Sequence, residues 1–314
     1  MKIVRIATIV LASGLPLTML PISGCGVESS TTIPASTQNV VLTTFYPTQY
    51  FAEHISGGLV PVRCLLPADE DPIFWKPDAD TIGQYQNAKL VITNGAEFEK
   101  WVAGAALPRG RTVSSLSNDA LQQAGGAITM EGSTHSHGAA GEHTHEGVDG
   151  HTWVSPKLAV IQARRIAEAM SNAWPEHAEA FKANLGALVE DLEMLQTSLE
   201  DLTTAVKRHR VLASHPAYNY LARDLGWDVT NFDFDPESED VAGIVADVRA
   251  AIEGDTSVIM LWEGEPTDAI RDALRDELGV TSVLFSPAEG VPDEGDYMDV
   301  MRANLDRLRQ AVGG

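Results

Sequence analysis

Cysteine is nearly absent from this chain, with only Cys25 and Cys64 in 314 residues. A disulfide framework is therefore excluded, and packing must supply the stability. Basic residues are also scarce, 22 Lys+Arg against 44 Asp+Glu, for a formal charge of -22. So acidic a surface repels phosphate backbones, which excludes nucleic acid as a partner, and it raises the local concentration of cations. Long uninterrupted apolar runs are missing as well: the stretch from Ile6 to Leu20 is broken by Gly14 and Pro16, too short and irregular for a comfortable membrane span. What is present is 44% hydrophobic content over a length that fits two domains better than one, enough to bury sizeable cores.

The N-terminus has the order of an export signal. Lys2 and Arg5 precede the apolar run, which ends in Ile22-Ser23-Gly24-Cys25. Basic start, apolar centre and small residues before a cysteine look like the lipobox of bacterial lipoproteins, with Cys25 the acylated first residue of the mature chain. Residues 1–24 are then a signal peptide and 25–38, rich in Ser and Thr, a lipidated flexible tether. The chain is expected outside the cytoplasm, lipid-anchored to a bacterial membrane, in the periplasm or at the cell surface. Cys64, inside the apolar run Val60 to Leu66, reads as an inert core thiol.

Beyond the tether, Val40 to Phe45, Val60 to Leu66 and Leu90 to Thr93 read as short strands separated by the helical patterns Thr48 to Ile55 and Thr81 to Asn87. The alternation returns late in the chain, with Arg210 to Ser214, Asp228 to Phe232, Ser257 to Trp262 and Thr281 to Phe285 as strands. This predicts an α/β protein of two lobes, each a mostly parallel sheet flanked by helices: an N-terminal lobe over 39–124 and a C-terminal lobe over 208–314. The intervening 151–207 complete the first lobe and link it to the second. Ser155-Pro156 is a helix start, with a capping hydroxyl before Pro in the first turn. After Pro175, Phe181, Leu185, Leu188, Leu192, Leu195, Leu199, Leu202 and Val206 step by four and three, an apolar seam on one face of a long linking helix. Unbroken from Pro175 to Lys207, it would be a rigid strut of roughly 50 Å at ~1.5 Å per residue.

The stretch 125–150 lacks periodicity and reads as a mobile loop. It holds His135, His137, His143 and His145, and with His151 five of the nine histidines fall within 135–151. Neutral imidazole is the commonest protein ligand for transition metals, so the loop reads as a loose metal-capturing device.

An ordered set of motifs follows from these pieces: Thr44-Phe45-Tyr46-Pro47, then Phe98-Glu99-Lys100-Trp101, the His-rich stretch, Asp149-Gly150-His151-Thr152-Trp153, the long helix, and Ser214-His215-Pro216-Ala217-Tyr218-Asn219-Tyr220. The set resembles the zinc and manganese solute-binding proteins of metal ABC importers, over nearly everything after residue 39. The resemblance implies a cleft between the lobes in which His151 and His215 bind metal, and a membrane permease that receives it. It implies a receptor and not an enzyme, working as a monomer. A histidine at 215 favours Zn²⁺ over Mn²⁺, because imidazole suits zinc whereas Mn²⁺ prefers carboxylates.

Two family ligands have no counterpart. The first, a histidine, is replaced by Ile73, and Glu70 or Asp71 just before it is expected to take over. The last, an aspartate, falls at Ser286. Glu263, at the end of a strand, either coordinates directly or hydrogen-bonds His215. The acidic loop Phe232-Asp233-Phe234-Asp235 is expected near the cleft. Two other classes compete: a zinc-dependent hydrolase, against which the chain has no His-Glu-x-x-His spacing, and a metal-buffering or adhesive surface lipoprotein.

Overall fold

The computed structural model describes residues 39–68, 70–136 and 142–313, with side chains given outside 131–136 and 142–146. The expected signal peptide 1–24, the acylated Cys25, the tether 25–38 and His137 lie outside the described residues. Among the described residues no helix is long and apolar enough to cross a membrane.

The N-terminal lobe runs β1 (Val41–Thr43), α1 (Tyr46–Ser56), β2 (Val62–Cys64), α2 (Ala79–Asn87), β3 (Leu90–Gly95), β4 (Thr112–Leu116) and α3 (Asn118–Gln123). Its strands form one parallel sheet in the order β2-β1-β3-β4, with Val41 paired to Val62 on one side and to Leu90 on the other. Val41, Leu42, Val91 and Ile92 are buried, as parallel strands covered by helices on both faces require.

A ribbon of β5 (Thr129–Ser136) and β6 (Glu142–Val148) follows, then α4 (Pro156–Ala173) and α5 (Ala178–Val206). The C-terminal lobe comprises β7 (Arg210–Ala213), α6 (Asn219–Leu225), β8 (Val229–Asn231), α7 (Val241–Ile252), β9 (Val258–Trp262), α8 (Asp268–Leu278), β10 (Val280–Leu284) and α9 (Tyr297–Ala311). Its parallel sheet has the order β10-β9-β7-β8. Each sheet has its lobe's first strand inside it, flanked by two parallel neighbours. In each, the chain leaves that strand toward one side and later returns on the other. Such a reversal opens a crevice at the carboxyl ends of the strands, where α/β proteins bind ligands.

Ser155 caps α4, its hydroxyl accepting from the Leu158 amide with Pro156 in the first turn. After a 3-10 turn at Pro175–His177, α5 runs unbroken for 29 residues. The predicted seam is the face it buries. Phe181, Leu188, Leu192, Leu195, Leu199 and Val206 are buried, and Leu185 and Leu202 pack beside them. The same apolar cluster takes in Val41 and Ile92 of one sheet and Ile259, Leu261 and Val283 of the other, so α5 is the shared wall of both lobes. Polar contacts repeat the pattern: Asn184 donates to the Ile55 carbonyl at the end of α1, and Arg302 of α9 reaches Asp191 at 3.0 Å.

The stretch 125–150 departs from the expected loop without regular structure. Its backbone pairs as an antiparallel ribbon, with Thr129 opposite Val148, His135 opposite His143 and a bulge between Met130 and Ser133. Ladder hydrogen bonds need no buried apolar face, so a tract unable to build a core can still form a hairpin.

Candidate metal centre

The carboxyl end of β7 supplies His215, two residues past the strand, and that of the neighbouring β9 supplies Glu263, immediately past it. Both stand at the crevice end of the C-terminal sheet, the position from which a side chain looks toward a ligand. His151 approaches from the opposite side on the short turn before α4. Gly150 lets it come close: a Cβ there would meet Phe98 at 2.7 Å. His151 lies between Phe98 and Trp153, with ring-centre distances of 6.2 and 5.4 Å.

The two imidazoles meet, their ring centres 5.3 Å apart and nearly perpendicular. Both are buried, His151 to 1% exposure and His215 to 5%. A zinc ion about 2.0–2.1 Å from a ring nitrogen sits about 3.2 Å from the ring centre, so two imidazoles sharing a tetrahedral zinc have centres about 5 Å apart. The observed spacing suits one shared ion.

His151 is oriented by Asp149. Its Nδ1–H donates to Asp149 Oδ1 at 2.8 Å, and its backbone N–H donates to the same oxygen at 2.9 Å. The proton is thereby placed on Nδ1, and Nε2 presents its lone pair. That Nε2 is buried and has no hydrogen-bond partner among the described residues. Burial alone would lower the His151 pKa, but the hydrogen bond to Asp149 and the charges of Asp149, Glu289 and Glu263 outweigh it, and the net direction is upward.

Glu289 is the residue that sequence reasoning missed. Its Oε1 is buried without a partner among the described residues. Burial and the charges of Asp71 and Glu263 push its pKa up to about 8, against an opposing pull from His151. The preceding residue, Ala288, has φ +55°, a left-handed conformation that costs a non-glycine residue of order 1 kcal/mol. The surrounding loop is fastened to hold that turn: Trp153 Nε1 donates to the Pro287 carbonyl at 2.7 Å, the Tyr218 hydroxyl to the Phe285 carbonyl at 2.6 Å, and Asn304 Nδ2 to the Ser286 carbonyl at 2.7 Å. Ser286 itself uses its hydroxyl to accept from the Ala288 amide. A buried carboxylate thus stands three residues after Ser286, within electrostatic reach of His151.

The remaining expected carboxylates take different places. Ile73 is buried in the core. Asp71 is half-buried, caps the following turn by accepting from the Ile73 amide at 2.7 Å, and acts electrostatically on Glu289, whereas Glu70 is exposed. Glu263 Oε2 and Asp233 Oδ1 each stand 3.8 Å from His215 Nδ1, ion-pair range and longer than a hydrogen bond. Among the described residues no three His, Cys, Asp or Glu side chains are grouped closely enough to hold a metal ion as they stand. As the structure stands, only the two imidazole rings meet. Of the capture histidines, His135, His143 and His145 fall within the backbone of the ribbon. A cleft of about 530 Å³, lined by Asp235, Glu237, Glu263, Glu265 and Glu289, adjoins the site. Clefts with walls of one charge concentrate counter-ions, here cations.

Comparison with known proteins agrees in fold and family. The profile of the zinc-uptake complex component A, periplasmic, matches residues 41–311. The zinc-binding lipoprotein AdcA of Streptococcus pneumoniae serotype 4 is 28% identical over 283 residues, covering 87% of this chain and 55% of that protein. This chain therefore spans about half the length of the AdcA proteins it matches. The high-affinity zinc uptake system protein ZnuA of Bacillus subtilis is 27% identical over 305 residues, covering 93% of this chain and 94% of that protein. Among solved structures, the Zn(II)-bound ZnuA-like domain of S. pneumoniae AdcA superposes with a TM-score of 0.72 at 23% identity, covering 88% of this chain and 100% of that one. The metal-dependent lipoprotein YcdH of B. subtilis gives 0.71 at 24% identity, covering 86% and 98%.

Proposed function

Because the chain belongs to the family of periplasmic component A of zinc-uptake complexes, we propose that it captures one Zn²⁺ between His151 and His215 and delivers it to the membrane permease of an ABC importer. The observation that carries this reading is the pair of buried imidazoles 5.3 Å apart, one with an unused, correctly prepared nitrogen. Glu289 closes onto the same ion as the third ligand, taking the position left vacant by Ser286. Asp71 completes the set from the N-terminal lobe or leaves the fourth place to water. Glu263 and Asp233 flank His215 and supply negative charge without direct coordination. Two neutral imidazoles and a carboxylate suit zinc, and Mn²⁺ would be held less well by so nitrogen-rich a set.

No covalent bond changes in this process. The protein acts by binding and release, in a receptor role outside the cytoplasm, with Cys25 as the lipid anchor that keeps it beside the importer. The acidic cleft draws cations inward, and the His-rich ribbon collects them loosely before transfer.

The test is metal analysis of the chain from residue 39 after chelator stripping and reloading. One tightly held zinc is expected, lost in His151→Ala and in His215→Ala and weakened in Glu289→Ala. Tight zinc retained by the double histidine variant would remove the site.

A further inference from the structure

Building on the zinc site proposed above, the geometry points to Asn219 as a positioning residue that, from the C-terminal lobe, sets the orientation of His151 in the opposite wall of the cleft. It acts through Asp149. That carboxylate is 0% exposed; Oδ1 is taken by the amide and the ring of His151, and Oδ2 accepts from Asn219 Nδ2 at 3.0 Å. Asn219 thus supplies the donor that fixes the second oxygen and with it the rotation of the carboxylate. Rotation of Asp149 would turn the His151 ring away from His215.

The side-chain amide has one consistent orientation. Nδ2 spends its two hydrogens on Asp149 and on the Pro216 carbonyl at 3.1 Å, while Oδ1 accepts from Asn231 Nδ2 of β8 at 2.7 Å. Asparagine near a helix start ordinarily accepts from a backbone N–H as a cap. Here the cap of α6 is Tyr218 with no side-chain cap bond, and the Asn219 oxygen faces another side chain, so capping does not account for the residue. The adjacent Tyr220 strengthens the link, donating to the Asp149 carbonyl at 2.9 Å while accepting from the Ile128 amide. Tyr218, one residue earlier, holds the Phe285 carbonyl at the root of the Glu289 loop. The hexapeptide His215–Tyr220 therefore carries one imidazole and grips the segments bearing the other two ligands.

The experiment is zinc competition titration of Asn219→Ala, the isosteric Asn219→Asp, Asn231→Ala and His151→Ala. It is read beside the melting temperature of each zinc-free protein and the ¹⁵N chemical shifts of the His151 ring. Asn219→Ala should raise the zinc Kd by about 10- to 100-fold, as loss of a partner that orients a ligand does elsewhere. The His151 shifts should move from a single Nδ1–H tautomer toward a mixture while the zinc-free fold melts within a few degrees of the parent. Asn219→Asp, which sets a carboxylate against Asp149, should be worse. Asn231→Ala, which leaves the bond to Asp149 in place, should change little. Unaltered His151 shifts with zinc affinity equal to the parent in both Asn219 variants would overturn the proposal. So would equal losses of zinc affinity in Asn219→Ala and Asn231→Ala with unaltered shifts, which would reduce Asn219 to a packing role. Parent-like zinc affinity in His151→Ala would instead indict the metal site itself.

Discussion

Burial pushes the Glu289 pKa up to about 8, outweighing the opposing pull of His151, with smaller upward contributions from the charges of Asp71 and Glu263. Its folded pKa lies above the ordinary carboxylate value near 4.4. The zinc-free fold therefore holds a proton that the unfolded chain has released. The stability this contributes is complete below pH ~4.4 and is lost as pH rises toward 8. Replacing the group with a neutral isostere removes that penalty. Glu289→Gln should melt higher than the parent in zinc-free buffer at pH 8, by roughly 2–4 °C per kcal/mol recovered, with the gain vanishing near pH 4. The same variant should bind zinc more weakly, and calorimetry across pH reads both. In the proposed site, zinc would displace the Glu289 proton and compete with protons for His151, whose pKa is also raised. Its affinity should fall by about tenfold per unit as pH drops below ~8, with proton release measurable in buffers of different ionisation enthalpy. At this scale the sequence was half legible. His151 and His215 stand in motifs that resemble those of the metal solute-binding proteins, and the structure brings their rings together. Glu289 does not, because it follows a left-handed Ala288 in a loop without periodicity, and Asp149, though quoted within the His151 motif, received no role of its own.

Among the elements, α5 was the most readable, since an apolar pattern that steps by four and three over about seven turns matches the helical period and no strand period. Both lobes share its buried face, and Leu192, fully buried at its centre, should cost about 2–5 kcal/mol on replacement by Ala. Denaturant unfolding measures this, and a loss below ~1 kcal/mol would mean that the seam does not unite the two cores. Most strands of both sheets could be placed from their β-branched and apolar runs. β4, with Thr112-Val113-Ser114-Ser115-Leu116, was lost because a half-polar edge strand has little hydrophobic signal. The ribbon β5–β6 was lost for a related reason: its sequence is largely polar, and its order comes from pairing across the hairpin, which periodicity does not register. Gly150 belongs to this scale too. A methyl group there would press on Phe98, so Gly150→Ala should displace the His151 turn and weaken zinc binding by at least about tenfold, at little cost in helical content by circular dichroism.

Across the whole molecule, two parallel sheets are joined by one helix that packs on both, and the C-terminal lobe carries a carboxylate-lined cleft beside His215. The chain reversal within each sheet opens a crevice at its strand ends, and His151 and His215, far apart in sequence, meet with ring centres 5.3 Å apart. The ribbon contributes neither His151 nor His215, so deleting residues 132–146 should remove weak zinc binding and leave the tight site intact. Zinc K-edge X-ray absorption on that deleted protein, loaded with one equivalent of zinc, tests the central claim most directly. The spectrum should show two imidazole nitrogens at about 2.0 Å with oxygen completing the shell and no sulfur. Fewer than two imidazoles around the bound ion would contradict the account.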